Sequence, residues 1–309
     1  MFTTRTNLAF FITFIAGLFS CSSLEDDIQQ PSTSVDEASL QLSLNVANAD
    51  TSTLNTIQVY TVRFFLVTEY GFIHTNQLFQ STTVTTPVQI KNVPRGTYKL
   101  YAIINEKALG LPDLAVIQTR QQLDDLSAHS QQFDINQGIP LVGVTAPILV
   151  EHTNQHIHIP LKRLTARMDL TIHNSSLLPL AIEEVRLGQV LHTTSNLYQP
   201  LMNKNTATLT DYQPNINTLT IHALDTQVLQ AYTPELVGDP KGITLSLTTQ
   251  QHGQLQPLTL ARKDGSIVTH IERNNLFRIH VTIEDNQLLH VGFEVVDWKQ
   301  EEIDIPVFS

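Results

Sequence analysis

Residues 57–67 read IQVYTVRFFLV, and this stretch is dominated by β-branched and aromatic side chains. Such side chains fit the pleated surface of a sheet, so the stretch predicts a central β-strand. Just before it, Leu40, Leu42, Leu44 and Val46 alternate with polar residues. A period of two places those four side chains on one buried face of another strand. The beginning of the fold is therefore predicted to be β.

The same pattern continues along the chain with few interruptions. Residues 88–90 and 98–104 read as strands on either side of a Pro-Arg-Gly turn, and Thr119 opens a short predicted helix over residues 119–129. Further predicted strands occupy residues 148–150, 156–161, 167–173, 219–223, 243–248, 258–262, 266–270, 277–283 and 288–296. Many short strands with turn residues between them are typical of β-sandwiches.

The first residues resemble a bacterial lipoprotein signal. Arg5 precedes an apolar run at residues 8–20 (LAFFITFIAGLFS), and Cys21, the only cysteine, follows directly. The run is too short to span a bilayer, and its position is that of a secretory signal. The pattern predicts cleavage before Cys21 and acylation, with palmitate among the lipids, of Cys21 itself. The alternative is an ordinary signal peptide followed by a chance cysteine.

Composition excludes several classes of protein. The formal net charge is −11, which argues against nucleic-acid binding because that requires clustered Lys and Arg. It also argues against a polybasic attachment to membranes, so attachment would depend on the lipid. Residues 22–37 are polar and acidic and predict a flexible tether between the lipid and the fold.

A search for catalytic motifs is mostly negative. The sequence has no G-x-S-x-G, H-E-x-x-H, Walker or G-x-G-x-x-G motif. His152, His156 and His158 form the strongest enzymatic candidate, because residues two apart on a strand share a face and can bridge a metal. The favoured interpretation is a polar outer strand face. The sequence therefore predicts no catalytic residue, no cofactor and no metal.

Five short segments together resemble the Bacteroidetes fimbrillins, the subunits of type V pili. Each segment alone is a weak signal, but the five occur in the family's order and span most of the chain. They are GTYKLYAIINE at residues 96–106, GIPLVG at 138–143, IHIPLKRLTARMD at 157–169, IERNNLF at 271–277 and VVDW at 295–298.

The resemblance implies a fold and an organisation. The expected fold class is all-β, with two tandem transthyretin-like Greek-key β-sandwich domains behind a lipoprotein signal and a flexible tether. The corresponding segments are the signal peptide at 1–20, the tether at 21–37, an N-terminal sandwich at 38–164 and a C-terminal sandwich at 165–309. The expected location is the surface of the outer membrane, as part of a fimbrium.

The resemblance also implies a mode of assembly. In the fimbrillins a protease specific for Arg and Lys removes the first strand, and an extended strand from a neighbouring subunit takes its place. Leu40, Leu42, Leu44 and Val46 would form the resident strand here. The donated strand would be carried by Ile303, Ile305 and Val307, which alternate with Asp and Pro at the C-terminus. The alternative is that this C-terminal segment completes the chain's own sheet.

The chain departs from the family pattern in three ways. Leu141 stands in place of a usual Met, and Phe277 in place of a usual Tyr. More importantly, no Lys or Arg occurs between Arg5 and Arg63, so an Arg/Lys-specific protease has no site near the first strand. Either another protease acts, or the subunit keeps its lipid and first strand, as a base or anchor subunit would. A tip subunit is the alternative.

The leading hypothesis is thus a non-enzymatic, lipid-anchored structural subunit of a fimbrium, with other fimbrial subunits, the outer membrane and host or bacterial surface ligands as partners. One alternative is a glycan-binding β-sandwich lipoprotein, which paired exposed aromatic residues would favour. The other is a β-rich metalloenzyme built on the three histidines, which stoichiometric metal would favour.

Overall fold

The computed structural model describes residues 37–46, 59–80, 88–151, 154–191, 193–199, 202–204, 208–262, 264–284, 287–297 and 301–302. The predicted all-β class is confirmed, since strands are by far the commonest regular elements of the described residues. The described residues contain one short α-helix, α1 (Arg120–Asp124), and four 3₁₀ turns, at Glu106–Leu109, Leu114–Val116, Ser130–Gln132 and Ile135–Gln137.

The strands are numbered in chain order. The first nine are β1 (Ala38–Val46), β2 (Thr61–Thr68), β3 (Ile73–Gln80), β4 (Gln89–Val93), β5 (Gly96–Ile104), β6 (Ser127–His129), β7 (Leu141–Val144), β8 (Ile148–Val150) and β9 (Asn154–Arg163). The remainder are β10 (Thr165–Asn174), β11 (Leu180–Leu191), β12 (Thr193–Asn196), β13 (Met202–Lys204), β14 (Thr210–Tyr212), β15 (Leu219–Ile221), β16 (Thr226–Pro234), β17 (Leu236–Gly238), β18 (Thr244–Thr249), β19 (Gly253–Gln254), β20 (Leu258–Thr259), β21 (His270–Ile271), β22 (Asn275–Glu284), β23 (Gln287–Asp297) and β24 (Glu301–Glu302).

The first half of the chain, together with β24, forms one nine-stranded sheet with its own core. Its strands follow the order β24-β1-β9-β7-β5-β2-β3, with β4 paired to β1 and β8 paired to β5. The β1–β9 pair is parallel, whereas the other pairs in this sheet are antiparallel. A core cluster drawn from residues 38–161 fills the interior. Alternating apolar residues bury one face of strands such as β9, whereas β2 and most of β5 are buried on both faces.

The second half is built from two sheets that share a core. One sheet has the order β16-β10-β22-β23, and the other the order β19-β18-β11-β17-β21, with β14 and β15 also paired to β11. The β10–β22 pair is parallel, as the β1–β9 pair is in the first half. Apolar residues from both sheets form a single cluster drawn from residues 166–283. Two sheets enclosing one core form a sandwich-like layer structure.

The two halves are joined by hydrogen-bonded backbone as well as by the chain itself. β6 of the first half pairs with β12 of the second in an antiparallel ladder. A third core cluster, drawn from residues 65–197, packs at this junction and includes the buried Leu164 and Leu197. The domain boundary at 164/165 and the transthyretin-like Greek-key topology of two separate domains stay predictions.

The predicted helix over residues 119–129 is too long. Thr119 caps the helix as predicted: its hydroxyl accepts from the Gln122 backbone, and the Gln122 side chain accepts from the Thr119 backbone. The helix ends at Asp124, because residues 127–129 pair with β12 instead. The tertiary ladder overrides the local helical preference of these residues.

Candidate functional site at the N-terminal strand

β1 lies inside its sheet and has neighbours on both sides. Its parallel register with β9 runs without a shift from Ser39 opposite Asn154 to Val46 opposite Leu161. On its other side β1 pairs antiparallel with β4, with Leu40 opposite Ile90. The predicted resident strand is therefore found as a strand, and it occupies an interior position.

The buried face of β1 carries the aliphatic row that the sequence predicted. Leu40, Leu42 and Leu44 are at most 3% exposed, and Ala38 on the same face is equally buried. Gln41, between them, points to solvent. Each fully buried aliphatic side chain of this size stabilises the fold by about 1.5–3 kcal/mol. Val46 pairs with β9, and its side chain is not among those described.

Polar contacts hold β1 in register. The backbone N–H of Leu42 donates to the carbonyl oxygen of Val88 over 3.0 Å, next to the β4 ladder. On the outer face the Ser43 hydroxyl lies 2.6 Å from Nδ1 of His158 on β9. These contacts fix the strand without adding any buried charge.

The far end of the chain returns to β1. β24 pairs antiparallel with the last two residues of β1, Asn45 and Val46. The predicted donor residues Ile303, Ile305 and Val307, which follow β24, lie outside the described residues. The end of β1 that β4 leaves uncovered is thus met by a strand of the same chain.

The predicted lipid-attachment residue lies outside the part of the chain that the structure describes. This holds for Cys21 and for the whole of the predicted signal and tether up to residue 36. Among the described residues no helix is long and apolar enough to cross a membrane. Lipidation of Cys21 stays a prediction.

The histidines of β9 do not assemble a metal site with other described residues. The rings of His156 and His158 stand 4.5 Å apart between centroids, and both residues are exposed. No cluster of three His, Cys, Asp or Glu suited to a metal ion occurs in the described ranges. His152, the third member of the candidate, lies outside them.

Two asparagines from the family-like segments stabilise chain turns. Asn105, with a φ of 55°, accepts from the backbone of Tyr60 over 2.8 Å and donates to the carbonyl of Ile139 over 2.9 Å. Asn274, with a φ of 63°, accepts from the backbone N–H of Arg163 at the junction. Asn adopts this left-handed conformation more readily than most residues, which explains its use at both positions.

Arg273, which precedes Asn274, binds three residues of the second half near the same junction. It donates to the carbonyl oxygens of Asn196 and Gln199 over 2.8 and 2.7 Å, and its Nε lies 3.6 Å from the Glu235 carboxylate. Burial lowers the pKa of Arg273, and the nearby Glu235 opposes that shift. The sequence gives no sign of this role, because the carbonyl oxygens that accept from Arg273 come close to it only in the folded chain.

Comparisons with known proteins agree on the fold. Three solved structures align with TM-scores of 0.55: the tip fimbrial protein Mfa3 from Porphyromonas gingivalis, a candidate cell adhesion protein from Bacteroides eggerthii, and the fimbrilin FimA from Porphyromonas gingivalis. Their sequence identities are 13%, 12% and 9%, and the alignments cover 85%, 85% and 86% of this chain. They cover 100%, 95% and 99% of the respective neighbours.

The chain has the fimbrillin fold. The resemblance inferred from the five segments is confirmed at the level of structure. No protein-family model and no curated protein sequence matches the chain. The arrangement of strands is therefore shared with fimbrial proteins, although the overall sequence identity is low.

Proposed function

We propose that this chain is a lipid-anchored structural subunit of a cell-surface fimbrium that assembles by β-strand exchange. The observation that carries the proposal is the position of β1. It is a single strand near the N-terminus, inserted between β9 and β4, with an aliphatic row in the core. Support comes also from solved structures of fimbrial proteins, which share the fold along nearly their whole length.

Removal of β1 would leave a groove with the chemistry that an extended strand needs. Backbone N–H and C=O groups of β9 and β4 would lose their partners, and the sites of Leu40, Leu42 and Leu44 would be open to new side chains. An incoming strand would satisfy the backbone groups and refill the core. This is β-augmentation, in which the backbone supplies affinity and alternate side chains supply specificity.

The proposed position in the fimbrium rests on the lack of basic cleavage sites near β1 and on the predicted lipid. No Lys or Arg lies between Arg5 and Arg63, so β1 is protected from a protease that cuts after basic residues. A subunit that keeps both the lipid on Cys21 and its own β1 suits an anchor at the outer membrane. An anchor that keeps β1 takes part in strand exchange by donating its C-terminal strand, and its own β1 groove would open only after cleavage by a protease of another specificity. It contributes to adhesion without catalysing a reaction.

A cleavable version of the chain tests strand exchange. The recognition sequence of a site-specific protease is inserted between Asp50 and Thr51, which separates β1 from the rest of the chain after cutting. The cut protein is then incubated with a labelled peptide of residues 299–309, and with the same peptide carrying Ile305→Asp as the control.

The cut protein should capture the first peptide and release its own N-terminal segment, whereas the uncut protein should capture neither peptide. Equal capture of both peptides would show that binding does not depend on a buried aliphatic row. Absence of capture by cut protein that has demonstrably released its N-terminal segment would contradict exchange of this strand.

A further inference from the structure

A cleft of about 300 Å³ opens at the junction of the two halves, well away from β1. One wall is formed by the two 3₁₀ turns at Ser130–Gln132 and Ile135–Gln137 and the residues between them. The other wall is formed by β14, the segment that follows it and the end of β16. Clefts between structural units are preferred sites for small ligands, and this volume lies at the lower end of their usual range.

Hydrogen bonds fix the two walls relative to one another. Asp134 accepts from both the backbone and the side chain of Asn136, each over 3.1 Å, and thereby shapes one wall. Asn215 of the opposite wall donates to the side-chain oxygen of Asn136 over 3.0 Å. The cleft is therefore formed in advance and does not require a ligand to create it.

The polar lining has a distinct chemistry. It contains the carboxylates of Asp134 and Asp211 and the amides of Gln131 and Gln213, and none of the described residues that line the cleft is Lys, Arg or His. Arg186, outside the lining, contacts one oxygen of Asp211 over 3.2 Å. A wall of carboxylates and amides disfavours phosphate, sulfate and sialic acid, and it offers both donors and acceptors to neutral hydroxyl groups.

Aromatic rings supply the apolar part of the lining. Phe133, Tyr212 and Tyr232 line the cleft, and all three are only partly buried. The hydroxyl of Tyr212 donates to the carbonyl oxygen of Tyr232 over 3.4 Å, which holds one ring in place. Rings of this kind present an apolar surface beside a polar handle, as required by a ligand with one apolar face and a rim of hydroxyls.

From this lining we infer that the cleft binds a neutral sugar, as a monosaccharide or as the terminal residue of a neutral glycan. Hydroxyl groups of the sugar pair with the carboxylates and amides, and a C–H face of the ring packs on the aromatic side chains. The inference does not depend on strand exchange, since none of the lining residues lies on β1, β4 or β9. It would give a fimbrial subunit its own adhesive site.

Saturation-transfer NMR on the chain from residue 22 onward tests the inference. The probes are methyl α-mannoside, lactose and N-acetylglucosamine, with sialyllactose as the acidic comparison, all at millimolar concentration. At least one neutral sugar should bind saturably, and sialyllactose should bind more weakly than lactose. Absence of saturable binding by all three neutral sugars, or a preference for sialyllactose, would overturn the inference.

Paired variants place the binding at the cleft. Gln213→Ala and Asp211→Asn should each weaken binding about tenfold, the equivalent of one hydrogen bond. The matched controls Gln254→Ala and Asp264→Asn change exposed residues outside the cleft and should bind like the parent protein. All four side chains are exposed, so each variant should fold like the parent protein. Thermal melting checks this. If the cleft variants and the controls have equal affinity for the sugar, the sugar does not bind in this cleft.

Discussion

At the scale of single residues, the fold depends on side chains whose role the sequence shows clearly and on others whose role only the structure shows. The alternation of Leu40, Leu42 and Leu44 with polar residues predicted a buried row, and the row is buried. The roles of Asn105 and Asn274 were not predictable in this way. Their side chains bind backbone groups from distant parts of the sequence, which no local pattern identifies.

The first prediction concerns the β1 row. Leu42→Ala removes a side chain that is 3% exposed and leaves a cavity, so the free energy of unfolding should fall by about 2–5 kcal/mol. Its exposed neighbour provides the control, since Gln41→Ala should change that free energy by about 0.5 kcal/mol or less. Denaturant unfolding of the two variants measures both values. Equal effects would show that β1 does not contribute to the core.

The second prediction concerns pH. Burial raises the pKa of Tyr212 to about 12, whereas an unfolded chain has a tyrosine pKa of about 10. The folded state thus favours the neutral phenol, so this contribution to stability is complete below pH 10 and is lost as the pH rises from 10 to 12. Tyr212→Phe should therefore make the fall in unfolding free energy over that interval shallower. Two results would contradict the burial of Tyr212. One is a fall in unfolding free energy that Tyr212→Phe leaves unchanged, and the other is an ultraviolet titration showing that the variant has lost a tyrosine of ordinary pKa.

At the scale of elements, the strongly patterned strands were predicted and their partners were not. Residues 57–67, 98–104 and 156–161 read as strands and contribute to β2, β5 and β9. β11 and β16 were missed, although both are long. β11 carries two adjacent glutamates and a register shift opposite β18, which hides its alternation. Pairing of β1 with β9 and β4 joins residues far apart in the chain, so the candidate site needed the structure.

The third prediction concerns the C-terminal segment. Deleting residues 302–309 removes Ile303, Ile305 and Val307 together with half of β24, which contributes only two residue pairs to the sheet. The deletion should leave the monomer folded and should abolish its association with a partner subunit.

Circular dichroism and pulldown from cell surfaces measure these two effects separately. Unfolding of the truncated monomer would show that the segment completes the chain's own sheet. A folded, truncated chain that still assembles would exclude strand donation from this end. A matched full-length control with Gln300→Ala should behave like the parent protein in both measurements.

At the scale of the whole molecule, the composition and the predicted lipid signal bear on where the protein acts. A net charge of −11 and one cysteine near the N-terminus are properties of the sequence alone. The fimbrillin fold is shared with a tip fimbrial protein and with a fimbrilin. The fold alone therefore does not assign a position in the fimbrium.

The fourth prediction concerns anchoring. Cys21 is the only cysteine, so Cys21→Ala should abolish acylation and release the chain from membranes. Two or more acyl chains, each worth about 0.8 kcal/mol per buried methylene group, give stable attachment, and the net charge of −11 argues against a polybasic surface that could replace them. Membrane fractionation with labelled palmitate measures the effect, and Ser22→Ala serves as the control. Retention of the Cys21→Ala variant in the membrane fraction would show that the anchor is not this lipid.

The most direct test of the central claim is mass spectrometry of fimbriae sheared from cells that express the native protein. If the chain is an anchor subunit, it should co-purify with fimbriae, its first residue should be acylated Cys21, and peptides covering β1 should be present. Recovery of the chain only with lipoproteins that do not sediment with fimbriae would contradict its role as a fimbrial subunit. Co-purification with an N-terminus between residues 47 and 59 would retain the fimbrial role and contradict the anchor position.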